Sequence, residues 1–138
     1  MTAVHPYINF KGKCEEAFNL YKSVFGGEFT MISRYKDMPP SEDNKMGDVD
    51  GNLVMHMSLP IGPHTHLMGS DVGGEWAKYT VDGNNIQLSV NADSTEDADR
   101  IFNGLAEGGR VNMPMANTFW GSYFGMLTDK FRIKRHNR

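Results

Sequence analysis

The stretch NNIQLSVNADSTEDADRIFNGLAEGG, residues 84–109, decides the fold. Its opening alternates Ile86, Leu88 and Val90 with Asn85, Gln87 and Ser89, which is the period-two pattern of a strand with two unlike faces. Ser94, with Asp97 three residues on, has the form of a capping box, and Ala98, Ile101, Phe102 and Leu105 follow at the spacing of one helical face. Gly108-Gly109 closes the helix, as glycine beyond a helix C-terminus commonly does. The unit is a strand feeding directly into a short amphipathic helix.

The same unit stands at the start of the chain. Residues 5–10 alternate His5, Tyr7 and Asn9 with Ile8 and Phe10, and Pro6 favours an early or edge strand position. Apolar residues then fall at Cys14, Ala17, Phe18, Tyr21 and Phe25, with Glu15, Glu16, Asn19 and Lys22 outward, and Gly26-Gly27 ends the helix. Gly26-Gly27 and Gly108-Gly109 lie 82 positions apart, and Glu15-Glu16-Ala17 answers Glu96-Asp97-Ala98 at an offset of 81. Three strand-like segments follow each helix. In the first half they are 28–35, 52–59 and 65–70, the last two joined by Pro60-Ile-Gly-Pro63; in the second they are 111–115, an aromatic stretch from Thr118, and 131–136. Residues 71–83, with two glycine-containing pairs, connect the halves. The expected fold is α+β: two βαβββ modules, about 3–72 and 84–137, within a single domain spanning 1–138. Each helix must cover one sheet face. Ile8 and Phe10, and Ile86, Leu88 and Val90, are expected to meet the helices, so His5, Tyr7 and Asn9, and Asn85, Gln87 and Ser89, take the opposite faces.

Two stretches depart from that regularity. Thr118-Phe-Trp-Gly-Ser-Tyr-Phe-Gly-Met-Leu127 reads as a strand with Phe119, Tyr123 and Leu127 on one side and Trp120, Phe124 and Met126 on the other. Its glycines mark a bend or a close approach, so it serves either as the wall of a cavity or as a bent strand in a filled core. Residues 36–51, with Pro39-Pro40 and several acidic residues, read as a long exposed loop that could be a lid, a dimer arm or a disordered excursion.

Composition narrows the function classes. A net charge of −3 opposes a nucleic-acid footprint, and the basic cluster of Arg132, Lys134, Arg135 and Arg138 reads as a solvated strand end. The chain has neither an apolar run near membrane length nor a leader pattern, so no membrane partner is expected. A single cysteine, Cys14, excludes an internal disulfide and suits a cytoplasmic location. Its place on the apolar helix stripe makes it a buried structural thiol. Ten methionines suit an adaptable pocket or an irregular core.

Pro6-Tyr-Ile-Asn-Phe10, Cys14-Glu-Glu-Ala17 and Val24-Phe-Gly-Gly-Glu28 resemble the opening of the PhnB-like branch of the vicinal oxygen chelate superfamily, which includes glyoxalases, bleomycin-resistance proteins and dioxygenases. Met68-Gly-Ser-Asp71, Gly108-Gly-Arg-Val111, Met113-Pro114, Phe119-Trp-Gly, Phe124-Gly and Asp129-Lys-Phe131 are similar to the same branch, in order along nearly the whole chain. The resemblance implies curved mixed sheets around a shared cavity, commonly in a homodimer. Arg132 and Arg135 stand where that branch usually has Gly and Trp.

For metal-dependent members the resemblance implies ligands from the first, fourth, fifth and eighth strands. The matching places offer His5, one of His66, Met68 or Ser70, then Asn85 or Gln87, and finally Lys134 or His136, with no carboxylate among them. A divalent metal held by His5, His66 and Gln87 would lack charge compensation. His64 and His66 could also chelate, as could His56 on its alternating strand, or all three could be solvent-facing. No nucleophilic triad, phosphate loop or dinucleotide fingerprint is present, and no catalytic residue is assigned. The leading expectation is a small-molecule binder, with Tyr7, Trp120 and Tyr123 supplying surface and His5, Asn9 and Gln87 supplying hydrogen bonds. The alternatives are a metal-dependent lyase or dioxygenase of the glyoxalase type, and a sequestering protein like those of bleomycin resistance.

Overall fold

The computed structural model describes residues 3–37, 51–73, 78–81, 83 and 85–131, and the backbone of 134–137. Two compact units result, Met1–Val81 and Asp82–Arg138. The first runs β1 (Tyr7–Phe10), α1 (Cys14–Phe25), β2 (Met31–Arg34), β3 (Val54–Ile61) and β4 (Thr65–Asp71); the second runs β5 (Leu88–Val90), α2 (Thr95–Ala106), β6 (Arg110–Asn117), β7 (Tyr123–Thr128) and β8 (Lys134–Asn137). The sheet orders are β1-β4-β3-β2 and β5-β8-β7-β6, so position for position the two units share one topology. In each, the first strand pairs parallel with the last and the other pairings are antiparallel. The protein is α+β, built from two βαβββ modules with mixed sheets.

In the first module α1 lies on the face carrying Phe10, Met57, Leu59 and Leu67, and its own Cys14, Ala17, Phe18, Tyr21 and Val24 are buried against it. Val24, rather than Phe25, completes the stripe. Close approach of helix to sheet requires Gly69: a Cβ there would sit 2.8 Å from the Phe18 ring and 2.9 Å from the Ile8 carbonyl. Gly125 does the same for α2, with Phe102 and Met115 where a side chain would be. In both modules a helix aromatic fills the space that a sheet glycine leaves open.

The two helices begin differently. Ser94 caps α2 by accepting from the Asp97 N–H at 3.1 Å, as the sequence pattern predicts. Lys13, at the start of α1, gives no side-chain cap. The cap comes instead from Asp71 at the end of β4, whose Oδ1 accepts from the N–H groups of Gly12 and Cys14, both at 2.9 Å, while Oδ2 accepts from Val54 N–H at 3.0 Å. The Asp71 carbonyl accepts from the Tyr35 hydroxyl at 2.6 Å. This buried carboxylate ties β1, α1, β3 and β4 together, and its negative charge is offset by three N–H dipoles.

Several expected boundaries move. The β5 strand is short, and Ile86 precedes it at 78% exposure, so only Leu88 and Val90 of the expected trio lie on the strand and are half-buried. The expected strand from Thr118 starts only at Tyr123. Residues 118–122 form a tight hairpin connection, in which Thr118 C=O accepts from Gly121 N–H, Thr118 Oγ1 accepts from Ser122 N–H, and Gly121 takes φ +87°. A turn followed by a left-handed glycine is a regular three-residue hairpin loop. Lys36 and Asp37 belong to a short 3₁₀ turn after β2, and the rest of the predicted 36–51 loop, apart from Gly51, lies outside the described residues.

Candidate functional site

The face of the first sheet opposite α1 carries an unusual density of polar side chains. Alternation and register place Tyr7 and Asn9 of β1, His66, Met68 and Ser70 of β4, His56 and Ser58 of β3, and Ser33 of β2 on it together. His5, just ahead of β1, continues the same row. His5 Nδ1 accepts from the backbone N–H of His66 at 3.1 Å, and the two imidazoles meet edge to face with centroids 5.5 Å apart. His66 Nδ1 is 3.2 Å from the Ser58 hydroxyl. Tyr7 OH is 3.3 Å from His56 Nδ1, with the rings tilted at 32°. Asn9 Oδ1 accepts from Ser70 Oγ–H at 3.2 Å. Ser58 and Ser70 are buried, whereas the Tyr7 ring is 47% exposed.

Three of the six predicted contact residues, His5, Tyr7 and Asn9, therefore share this face. The other three belong to the second module. Gln87 is an exposed residue just before β5. Trp120 stands at the β6–β7 hairpin tip, 54% exposed, with its ring edge to face against Phe119 at 4.9 Å. Tyr123 turns toward α2, where its hydroxyl donates to Asp99 at 2.7 Å. That hydrogen bond to a carboxylate raises the phenol pKa, and desolvation adds to it. Tyr123 also borders an open hollow of about 280 Å³ with Ala92, Ser94, Thr95, Ala98 and Ser122, but the Ser94 and Tyr123 hydroxyls there already serve Asp97 and Asp99.

The described residues do not fit a divalent metal. No group of three or more His, Cys, Asp or Glu converges among them. His5 and His66 do come together, but the one lone pair of a neutral His5 ring is taken at Nδ1 by the His66 N–H, which leaves Nε2 protonated and unable to ligate. His64 lies in the exposed β3–β4 turn. Lys134 and His136 side chains lie outside the described residues. The Ser58–His66 contact lacks the rest of a hydrolytic centre among the described residues, where Ser58 is buried and no carboxylate is hydrogen-bonded to His66.

Cys14 is fully buried, and its thiol pKa is raised well above the ordinary range, first by desolvation and then by the charges of Asp71 and Glu15. It is a structural thiol. On the same side of the sheet, Arg34 forms a bidentate pair with Glu15 of α1, and that hydrogen bonding raises the Arg34 pKa further.

Two residues escaped the sequence reading. Ser58 is found by carrying the alternation forward from His56 along β3. Asp71 had no local signal, since the N–H groups it serves lie 17, 57 and 59 residues away.

The model of the Glyoxalase/Bleomycin resistance protein/Dioxygenase superfamily matches residues 4–134. The chain belongs to that superfamily. Protein YjdN of Escherichia coli (strain K12) is 25% identical over 134 residues, covering 93% of this chain and 88% of that protein. The crystal structure of protein PA1353 from Pseudomonas aeruginosa superposes with a TM-score of 0.82 at 34% identity, over 100% of this chain and 97% of the other. The PhnB protein from Bacillus cereus, named as a candidate 3-demethylubiquinone-9 3-methyltransferase, gives a TM-score of 0.77 at 27% identity, over 99% of this chain and 98% of its own. This is a glyoxalase-fold protein with PhnB-like neighbours. Among the described residues no helix is long and apolar enough to cross a membrane.

Proposed function

We propose that the protein binds a small molecule on the polar face of its first sheet, with Tyr7 as the aromatic platform and His5, Asn9, His56 and His66 as the hydrogen-bonding frame. The observation that carries this reading is the gathering of imidazoles, amide, phenol and hydroxyls from β1, β3 and β4 on the face away from α1. A sheet face that only needed to be wet would be served by Lys, Glu and Thr, which order nothing around them. Here the side chains hold one another in fixed orientations. Preorganised polar groups around one exposed ring are what a recognition surface requires. Binding, rather than turnover, is the activity these residues support.

A thermal-shift screen of small aromatic and polar compounds tests it. A compound held at 100 times its dissociation constant should stabilise the protein by about 2.7 kcal/mol. Tyr7→Ala should weaken the same compound by about 1 kcal/mol or more. A screen in which every hit binds Tyr7→Ala as tightly as the parent chain would contradict the reading. Gln87 and Trp120 are proposed as ligand contacts of the second module, tested by the same hits against Gln87→Ala and Trp120→Ala.

We also propose a homodimer in the cytoplasm. Support comes from superfamily membership and from the buried free thiol of Cys14, which suits a reducing compartment. Light scattering on the purified chain tests the first, with a monomer mass at micromolar concentration as the contrary result.

A further inference from the structure

The hydrogen bonds on β1 follow one pattern. At His5 the acceptor Nδ1 is taken by the His66 N–H, and at Asn9 the acceptor Oδ1 is taken by the Ser70 hydroxyl. In both cases β4 uses the acceptor and leaves the donor. A neutral imidazole has one lone pair and one N–H, so His5 presents Nε2–H; Asn9 likewise presents its amide N–H₂. Neither donor meets a protein acceptor among the described residues. The half-exposed Tyr7 ring lies between them on the same face. No carboxylate stands on this face among the described residues, and buried Asp71 points to the α1 side.

We propose that this row recognises a planar ligand carrying hydrogen-bond acceptors, carbonyl or carboxylate oxygens, at two opposite ends. This deepens the binding reading above and rests on it. Four residues of extended chain separate the His5 and Asn9 Cα atoms by up to about 13 Å, so one ligand that meets both donors must carry its acceptors at opposite ends. One benzene ring with a carboxyl group at each end is the simplest ligand of that kind. The Tyr7 ring then stacks on the plane between them. A ligand of opposite polarity, with donors or ammonium groups at its ends, faces donors at both.

Histidine ring-nitrogen NMR on the isotope-labelled full-length protein tests the donor assignment without any ligand. His5 should show a bare Nδ1 and a protonated Nε2, and the reverse tautomer overturns the inference while leaving other binding possible. Titration with terephthalate and with 1,4-bis(aminomethyl)benzene, which share one ring frame, then tests the ligand class. Terephthalate should shift the His5 ring signals and the diamine should not. Asn9→Asp, which replaces the donor by an acceptor, should weaken terephthalate by about tenfold or more, while His5→Gln, which keeps a donor, should retain most of the binding. Equal or tighter binding of the diamine overturns the proposal. If the expected tautomer is found and neither probe binds, the donor assignment stands but the dicarboxylate ligand class is lost, and the thermal-shift screen separately decides whether any small molecule binds.

Discussion

The two residues with the clearest consequences are Asp71 and Cys14. Asp71 accepts from three backbone N–H groups, and its removal leaves three donors with no nearby partner. Asp71→Ala should therefore cost about 3 kcal/mol or more, read as a fall in the denaturant midpoint, since each hydrogen bond to a charged group is worth about 1.5–3 kcal/mol. A loss under 1 kcal/mol would mean that the knot is not what joins α1 to the sheet. For Cys14 the prediction concerns pH. The folded thiol pKa lies above the ordinary value of 9.0, so between the two the folded state holds a proton that the unfolded state has lost. Its stabilising contribution is thus complete below pH 9.0 and is lost as pH rises beyond it. Tyr35, raised from 10.0 chiefly by desolvation, acts with the same sign in a higher range. Urea unfolding across alkaline pH should show a decline that begins later in Cys14→Ala than in the parent chain. Matching declines would show that another group governs alkaline stability.

At the scale of elements, glycine and capping residues decide how each helix sits. Gly69→Ala forces a methyl into the Phe18 ring and the Ile8 carbonyl, and should destabilise by about 1–3 kcal/mol as overpacking does. Ser94→Ala removes the α2 cap and should cost about 1 kcal/mol. Equilibrium unfolding of both variants checks these values. Elements with a local signature were legible: Ser94 with Asp97, the Ala98–Leu105 stripe, and the alternation that put Tyr7 and Asn9 on one face. Where tertiary contacts decided, the sequence pattern misled. Phe119 and Trp120 are strong strand formers, yet the Thr118 side chain and the left-handed Gly121 make that segment a turn. Ile86 extends the apolar alternation of β5 but lies beyond the end of the strand. The cap on α1 was invisible because its residue lies on another strand.

For the molecule as a whole, duplication explains most of what could be read in advance, because a pattern seen twice reinforces each weak local signal. The donor row on β1 was only half legible. Alternation predicts which side chains share the face, but the identity of the free hydrogen-bonding atom depends on β4 neighbours 61 residues away. We propose that residues 1–138 act as one domain, so calorimetry should show a single transition whose calorimetric and van't Hoff enthalpies agree. The binding claim is tested most directly by amide chemical-shift mapping of the full chain with a hit from the thermal-shift screen. The account predicts that the largest shifts fall at Tyr7, Asn9, His56, His66 and Ser70. Shifts confined to the α1 side of that sheet, or absent from β1 and β4 altogether, would contradict it.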